Sequence, residues 1–174
     1  MTTIHEFKEL LASRKYIISD GAMGTVLHQR GAPSTSCFDC LDQDLPELVK
    51  SVHADYIQAG SGMIQTNTFG ANRFKLAQHG LENKVKEINS AGARIARQAV
   101  NESGKTVFVA GDVGPLGVRL SPFGRVQLQE AREAFLEQIS ALVEDDVDLL
   151  LLETMTDLYE VIEAIQAARQ VCLD

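Results

Sequence analysis

Two carboxylates, Asp20 and Glu153, each follow a short apolar run and open a stretch of small, hydroxylated or turn-forming residues. The first stretch is Asp20-Gly21-Ala22-Met23-Gly24-Thr25 and the second is Glu153-Thr154-Met155-Thr156-Asp157. A pair of acids facing one cavity can hold an ammonium group through charge-assisted hydrogen bonds, or carry out acid–base chemistry. Gly21 and Gly24 let backbone N–H groups come close to an anion such as a carboxylate. Together these features suit a zwitterionic amino acid. Thr66-Asn67-Thr68 adds hydroxyl and amide groups directly after another apolar run. Local roles compete with this: Asp20 can open a turn, Glu153 can begin a cap, and Thr and Asn favour turns for backbone reasons. Gly114-Pro115-Leu116-Gly117 fixes a rigid loop shape, with Asp112 beside it as a supporting acid.

Other chemistries find little support. Gly60-Ser61-Gly62 is not followed by the Lys-Ser/Thr of a phosphate loop, and no GxGxxG or GxSxG occurs. The four histidines, His5, His28, His53 and His79, form no HxH or HExxH pattern and are expected at the surface. Of three cysteines, Cys37 and Cys40 make a single CxxC, without a second ligand pair at metal-site spacing. The flanking residues suggest a loop, so Cys37 and Cys40 are expected to be ordinary loop thiols. An odd, sparse cysteine set argues against a secreted disulfide scaffold and for a reducing compartment.

The elements that must position these residues alternate. Short apolar runs at 16–20, 62–66, 107–111 and 147–153 look like strands covered on both faces. Helical spacing separates them. Asp44 and Glu47 form a capping box with Pro46 in the first turn, ahead of Leu48, Val49, Val52 and Tyr56. Val85, Ile88, Gly92, Ile95, Ala96 and Ala99 share one face of a helix ended by Ser103-Gly104. A third helix presents Leu128, Ala131, Phe135, Ile139 and Leu142. The last opens with Asp157 and Glu160 as a capping box and is expected to bury Leu158, Val161, Ile162 and Ile165. A short helix, roughly residues 4–13, leads the chain. The order is α-(βα)4 in one continuous α/β unit spanning 1–174, with crossovers long enough for parallel connections. In such folds ligands bind at the carboxyl ends of the strands, where the polar stretches above fall.

Composition narrows the classes further. The chain has 174 residues, a net charge of −8, 45% hydrophobic and 23% charged residues. That balance fits a globular domain, and the acidity disfavours nucleic-acid binding. No apolar run approaches the roughly 20 residues that span a bilayer. Residues 1–15 carry no signal-peptide core, so the expected location is the cytoplasm.

Four motifs in order, Asp20-Gly21-Ala22-Met23-Gly24-Thr25, Gln65-Thr66-Asn67-Thr68-Phe69, Gly114-Pro115-Leu116-Gly117 and Leu151-Leu152-Glu153-Thr154, closely resemble the homocysteine S-methyltransferase domain. The likeness is to bacterial versions that begin cobalamin-dependent methionine synthase or are fused to a methylenetetrahydrofolate reductase. It runs from about Tyr16 to the end of the chain. The resemblance implies a (β/α)8 barrel with homocysteine at its C-terminal face and its thiolate on a zinc held by three cysteines. By the same resemblance, Asp20 and Glu153 would hold the homocysteine ammonium group. The backbone of Gly21 and Ala22 would receive its carboxylate, and Thr66 and Asn67 would line the pocket.

The family's zinc cysteines belong to later barrel strands, and Cys37, Cys40 and Cys172 do not match them. The expectation is therefore the first four of eight βα units, a truncated or split half barrel with half of the substrate site and no metal site, inactive alone. Its partners would be homocysteine and a second half of the barrel. The methyl donor, methylcobalamin charged from methyltetrahydrofolate or S-methylmethionine or betaine, is left open. The alternatives are a non-catalytic protein that binds a small amino acid or pairs with another half barrel, and, with less support, a flavodoxin-like nucleotide binder.

Overall fold

The computed structural model describes residues 4–13, 16–33 and 37–172. Helix α1 (Ile4–Ala12) leads, followed by α2 (Met23–Gln29), α3 (Leu41–Asp44) and α4 (Pro46–Ala59). Strand β1 (Met63–Gln65), a short α5 (Arg73–Leu76) and two 3₁₀ turns lead into α6 (Val85–Ser103). Then come β2 (Phe108–Val113), α7 (Leu128–Glu144), β3 (Leu149–Leu152) and α8 (Leu158–Val171). The strands form one parallel sheet in the order β1-β2-β3, with Ile64 opposite Val109 and Val113 opposite Leu152. The expected α/β class and parallel sheet are present.

The first expected strand is reduced to one bridge. Ser19 pairs in parallel with Met63, Asp20 N–H donates to Met63 O at 3.0 Å, and Gly62 N–H donates to Ile18 O at 2.8 Å. Beside a β1 only three residues long, this segment has few ladder partners. Its outer side chains, Tyr16 and Ile18, stay exposed. At the other edge, pairing begins at Leu149 rather than Val147. There the Asp148 carboxylate accepts the Val109 N–H at 2.7 Å and meets Arg97 at 3.0 Å.

Helix faces follow the apolar spacing for α6 and α7. Val85, Ile88, Gly92, Ile95, Ala96 and Ala99 are all buried, and Gly104 closes α6 in the left-handed conformation that glycine tolerates. Ala131, Phe135, Ile139 and Leu142 form the heart of the core between sheet and helices. The Gln127–Glu130 capping box that starts α7 is complete. Capping differs at two other helices. α4 has Leu45 as its N-cap with no side-chain bond, because Asp44 already ends α3. At α8, Asp157 caps Tyr159 N–H, but Glu160 turns away to accept the Leu116 N–H at 2.7 Å.

The buried face of α8 is opposite to the expected one. Ala164 and Ala167 pack into the core with Glu160 and Glu163, whereas Leu158 is 70% exposed and Ile162 and Ile165 lie outside. Two stripes of helical period compete here. The Ala164–Ala167 stripe wins because its small side chains allow close packing on α7, and Glu163 is neutralised by Arg132 at 2.6 Å. The Leu158–Ile162–Ile165 stripe is left on the more exposed side of α8.

Candidate functional site

The polar stretches converge at the carboxyl end of the sheet. A cavity of about 710 Å³ opens there, and Asp20, Gly21, Ala22, Thr66, Asn67 and Glu153 all line it. Each is delivered by a different feature. Asp20 follows the Ser19 bridge, Thr66 follows β1, and Glu153 follows β3 with its N–H donating to Val113 O at 3.2 Å. Thr154, directly after Glu153, has φ +56°, a costly conformation for a β-branched residue, and also lines the cavity.

Asp20 is fixed by two donors, Gln65 N–H at 2.9 Å and the Ser19 hydroxyl at 3.1 Å. Burial pushes its carboxyl up, the two hydrogen bonds pull it back, and the Glu153 charge adds to the rise. Gly21 lies against Tyr56, whose hydroxyl donates to Ala22 O at 3.0 Å. Ala22 caps α2 without a side-chain acceptor, and Met23 and Gly24 continue the cavity wall.

Thr66 and Asn67 spend their polar groups on the frame of the site. Thr66 Oγ1 accepts the Asp112 N–H at 2.9 Å and lies 2.6 Å from Thr68 Oγ1, while the Thr68 hydroxyl donates to Asp112 O at 2.8 Å. These bonds tie the tips of β1 and β2. Asn67 Nδ2 donates to Phe38 O at 2.8 Å and to Asp42 Oδ1 at 3.0 Å, holding the first loop in place. Asp42 is buried, with Oδ2 unpartnered, and burial pushes its carboxyl well up. Gly92 makes this possible, since a Cβ there would stand 2.6 Å from both Asp42 Oδ2 and Thr68 Cγ2.

Two further acids belong to the wall. Asp39 accepts the Gly70 N–H at 2.7 Å. Asp112, placed by the sequence only as a supporting acid, lines the cavity itself; it is 5% exposed and its Oδ1 has no partner. Burial and the charges of Glu153, Asp39 and Asp20 push Asp112 up to about 8, with Lys75 opposing. Lys75 is drawn the other way by burial and stands 4.3 Å over the Phe69 ring. Four carboxyl groups, Asp20, Asp39, Asp112 and Glu153, thus share a cavity whose one lysine is Lys75. Such a surplus favours a cationic group in the space between them. Asp39 and Lys75 were not anticipated. Asp39 was hidden inside a segment notable for its cysteines, and Lys75 sits in a short helix that sequence spacing does not reveal.

The cysteines and one histidine depart from expectation. Cys37 and Cys40 are joined as a disulfide, because the turn in which Cys40 N–H donates to Cys37 O brings their Cα atoms to 5.2 Å. His28 and His79 are exposed, and the His5 side chain lies outside the described residues. His53 is fully buried on α4 with neither ring nitrogen partnered, and burial pushes it down to about 4. The apolar face of α4, with Val49, Val52 and Ile57, carries it inward. Among the described residues no group of three or more His, Cys, Asp or Glu side chains is arranged to hold a metal ion. The zinc that the resemblance implies therefore does not fit these residues. No described helix is long and apolar enough to cross a membrane.

Residues 17–173 match the family model described as homocysteine S-methyltransferase. The methionine synthase of Mycobacterium leprae is 30% identical over 173 residues, which is 93% of this chain and 14% of that protein. That of Mycobacterium tuberculosis is 28% identical, over 91% of this chain and 14% of its own length. Among solved structures, the homocysteine methyltransferase MmuM from Escherichia coli superposes with a TM-score of 0.77 in its metallated form and 0.80 in its oxidized form, at 28% identity. The match covers 92% and 94% of this chain and 61% of MmuM in both cases. The chain thus spans about a seventh of the methionine synthases and less than two thirds of MmuM. With its parallel α/β architecture and its motif residues gathered at one cavity, the chain belongs to the homocysteine S-methyltransferase family.

Proposed function

We propose that the chain supplies the amino-acid end of a homocysteine-binding site, as part of an enzyme that transfers a methyl group to the homocysteine sulfur to give methionine. The observation that carries this is the acid-rich cavity at the carboxyl end of the sheet. An ammonium group placed between Asp20 and Glu153 would offset the burial that chiefly raises Asp20 and Asp112, and the repulsion among the acids that adds to it. Backbone N–H groups around Gly21 and Ala22, where α2 lacks a side-chain cap, would receive the carboxylate. Thr66 and Asn67 would act through the walls they brace.

The residues present do not fit a zinc site, so activation of the sulfur is assigned to residues outside this stretch. On this proposal the described strands and the Ser19 segment are the first four βα units of an eight-unit barrel, and the chain alone is inactive. The expected location is the cytoplasm. The methyl donor would be contacted mainly by the remaining units; methylcobalamin charged from methyltetrahydrofolate is one candidate.

The test is calorimetric titration of the chain with homocysteine, together with a methyl-transfer assay using S-methylmethionine. Binding that weakens by about tenfold or more in Asp20→Asn and Glu153→Gln, without methionine formation, is the expected result. Methionine production by the chain alone, or stoichiometric zinc held by it, would overturn the assignment of the sulfur chemistry to other residues. A second possibility, pairing with another half barrel, is favoured by the exposed Leu158, Ile162 and Ile165 stripe. Sedimentation at micromolar concentration checks it, and a lone monomer would count against it.

A further inference from the structure

The Cys37–Cys40 disulfide has no part in the proposed amino-acid site, yet it borders the same cavity. Cys37 lines the cavity beside Phe38 and Asp39. Cys40 is 7% exposed and packs behind it among Ala71, Leu76, Val85 and Ile88. The residues inside the disulfide ring hold the wall of the site. Phe38 O receives the Asn67 amide at 2.8 Å, and Asp39 Oδ1 receives the Gly70 N–H at 2.7 Å. Cys37 also touches that cluster but is only half-buried and borders the cavity, so of the two cysteines it is the one a small molecule in the cavity meets first.

We propose that Cys37–Cys40 is a thiol–disulfide exchange site opening on the cavity and selective for small thiols that carry an ammonium group. Only the choice of homocysteine as its natural thiol rests on the function proposed above. In the first step a thiolate attacks Cys37 Sγ, the Cys37–Cys40 bond breaks, a mixed disulfide forms and Cys40 leaves as a thiolate. A second thiolate attacks the sulfur of the small molecule in that mixed disulfide and releases Cys37 as a thiolate. Two small thiols are thereby oxidised to their disulfide, and the protein disulfide is reduced to two thiols. The displaced thiolates take up the two protons lost by the small thiols. Direction follows the compartment: a thiol-rich one drives the pair open, which frees the Phe38–Asp39 turn from its covalent ring. Selectivity follows from charge, since Asp20, Asp39 and Glu153 outnumber the one lysine in the cavity even with Asp112 holding its proton. The cavity attracts an ammonium-bearing thiol and repels one bearing only a carboxylate.

Alkylation of the chain purified without reductant, read by peptide mass, tests the site. The expected pattern is modification of Cys172 alone, and modification of Cys37 and Cys40 as well after homocysteine treatment. Homocysteine should open the disulfide roughly tenfold faster than 3-mercaptopropionate at equal thiolate concentration. In Cys40→Ser, homocystine should leave a mixed disulfide on Cys37, whereas in Cys37→Ser the buried Cys40 should stay unmodified. Immediate alkylation of all three cysteines, equal rates for the two thiols, or homocystine modifying Cys40 in Cys37→Ser as readily as Cys37 in Cys40→Ser would each overturn the proposal. Methionine, a thioether that cannot exchange, separates the two ideas. Methionine binding without homocysteine exchange overturns the exchange site and leaves the amino-acid site standing. Exchange without methionine binding supports the exchange site and removes the amino-acid site.

Discussion

The two ends of the sheet solve burial in opposite ways. Towards its amino end, Ile64, Val107 and Val109 are sealed with Ile57, Ala96 and Val100, and every side chain in that cluster is apolar. Three residues further along β2, Asp112 is nearly as buried, but one carboxyl oxygen has no partner and three other acids share its cavity. An apolar end gains stability from every group it removes from water, while the acidic end loses some with each one. The molecule thus keeps its stability at one end of the strands and an unmet electrostatic demand at the other, which is what a ligand can satisfy.

The sharpest break of that comparison comes from the apolar side. Ile64→Ala, in that sealed cluster, should cost about 2–5 kcal/mol in urea unfolding. A loss under about 1 kcal/mol would show that the core is not where the stability resides.

Asp112→Asn probes the other side. The folded state holds this proton up to about pH 8, whereas the unfolded chain releases it near 3.8. Between those values the folded state binds more protons, so stability falls as pH rises across that window. The variant should lose that slope when unfolding midpoints are compared from pH 4 to 8.

His53 gives the opposite sign from inside an apolar face. Folded His53 stays neutral down to about 4, and its ordinary value is 6.5. Its contribution is intact above pH 6.5 and is lost as pH falls towards 4, by about 3 kcal/mol. His53→Leu should flatten the acid limb of the stability curve, and an unchanged limb would contradict the burial argument.

A smaller effect is expected at the strand tip itself. Thr154→Gly relieves the left-handed backbone after Glu153. It should raise stability by about 1 kcal/mol in urea unfolding while weakening amino-acid binding, because strain held at a site is released at its expense.

Much of this division is written in residue types. The continuous apolar runs identify β2 and β3, and the α6 and α7 faces follow directly from spacing. Asp20, Thr66, Asn67 and Glu153 share a cavity because each stands just past a strand end, which local sequence locates well. What escaped local sequence depends on long-range choices. The α8 face was decided by how closely Ala164 and Ala167 approach α7, not by the hydrophobicity of Leu158 and Ile162. His53 went inward with its helix although its type favours the surface. Asp39 reached the cavity wall through Gly70, thirty-one residues away in the chain. Asp112 counted as a supporting acid until the fold placed its unpartnered oxygen beside the others.

The most direct test of the acidic end is a calorimetric comparison of homocysteine with 4-mercaptobutyrate, the same chain length without the ammonium group, using the Cys37→Ser protein to suppress exchange. Binding of homocysteine with at least about tenfold preference, abolished in Glu153→Gln, is the predicted result. Equal binding of the two thiols, or a preference untouched by that substitution, would contradict the assignment of the cavity to an ammonium group.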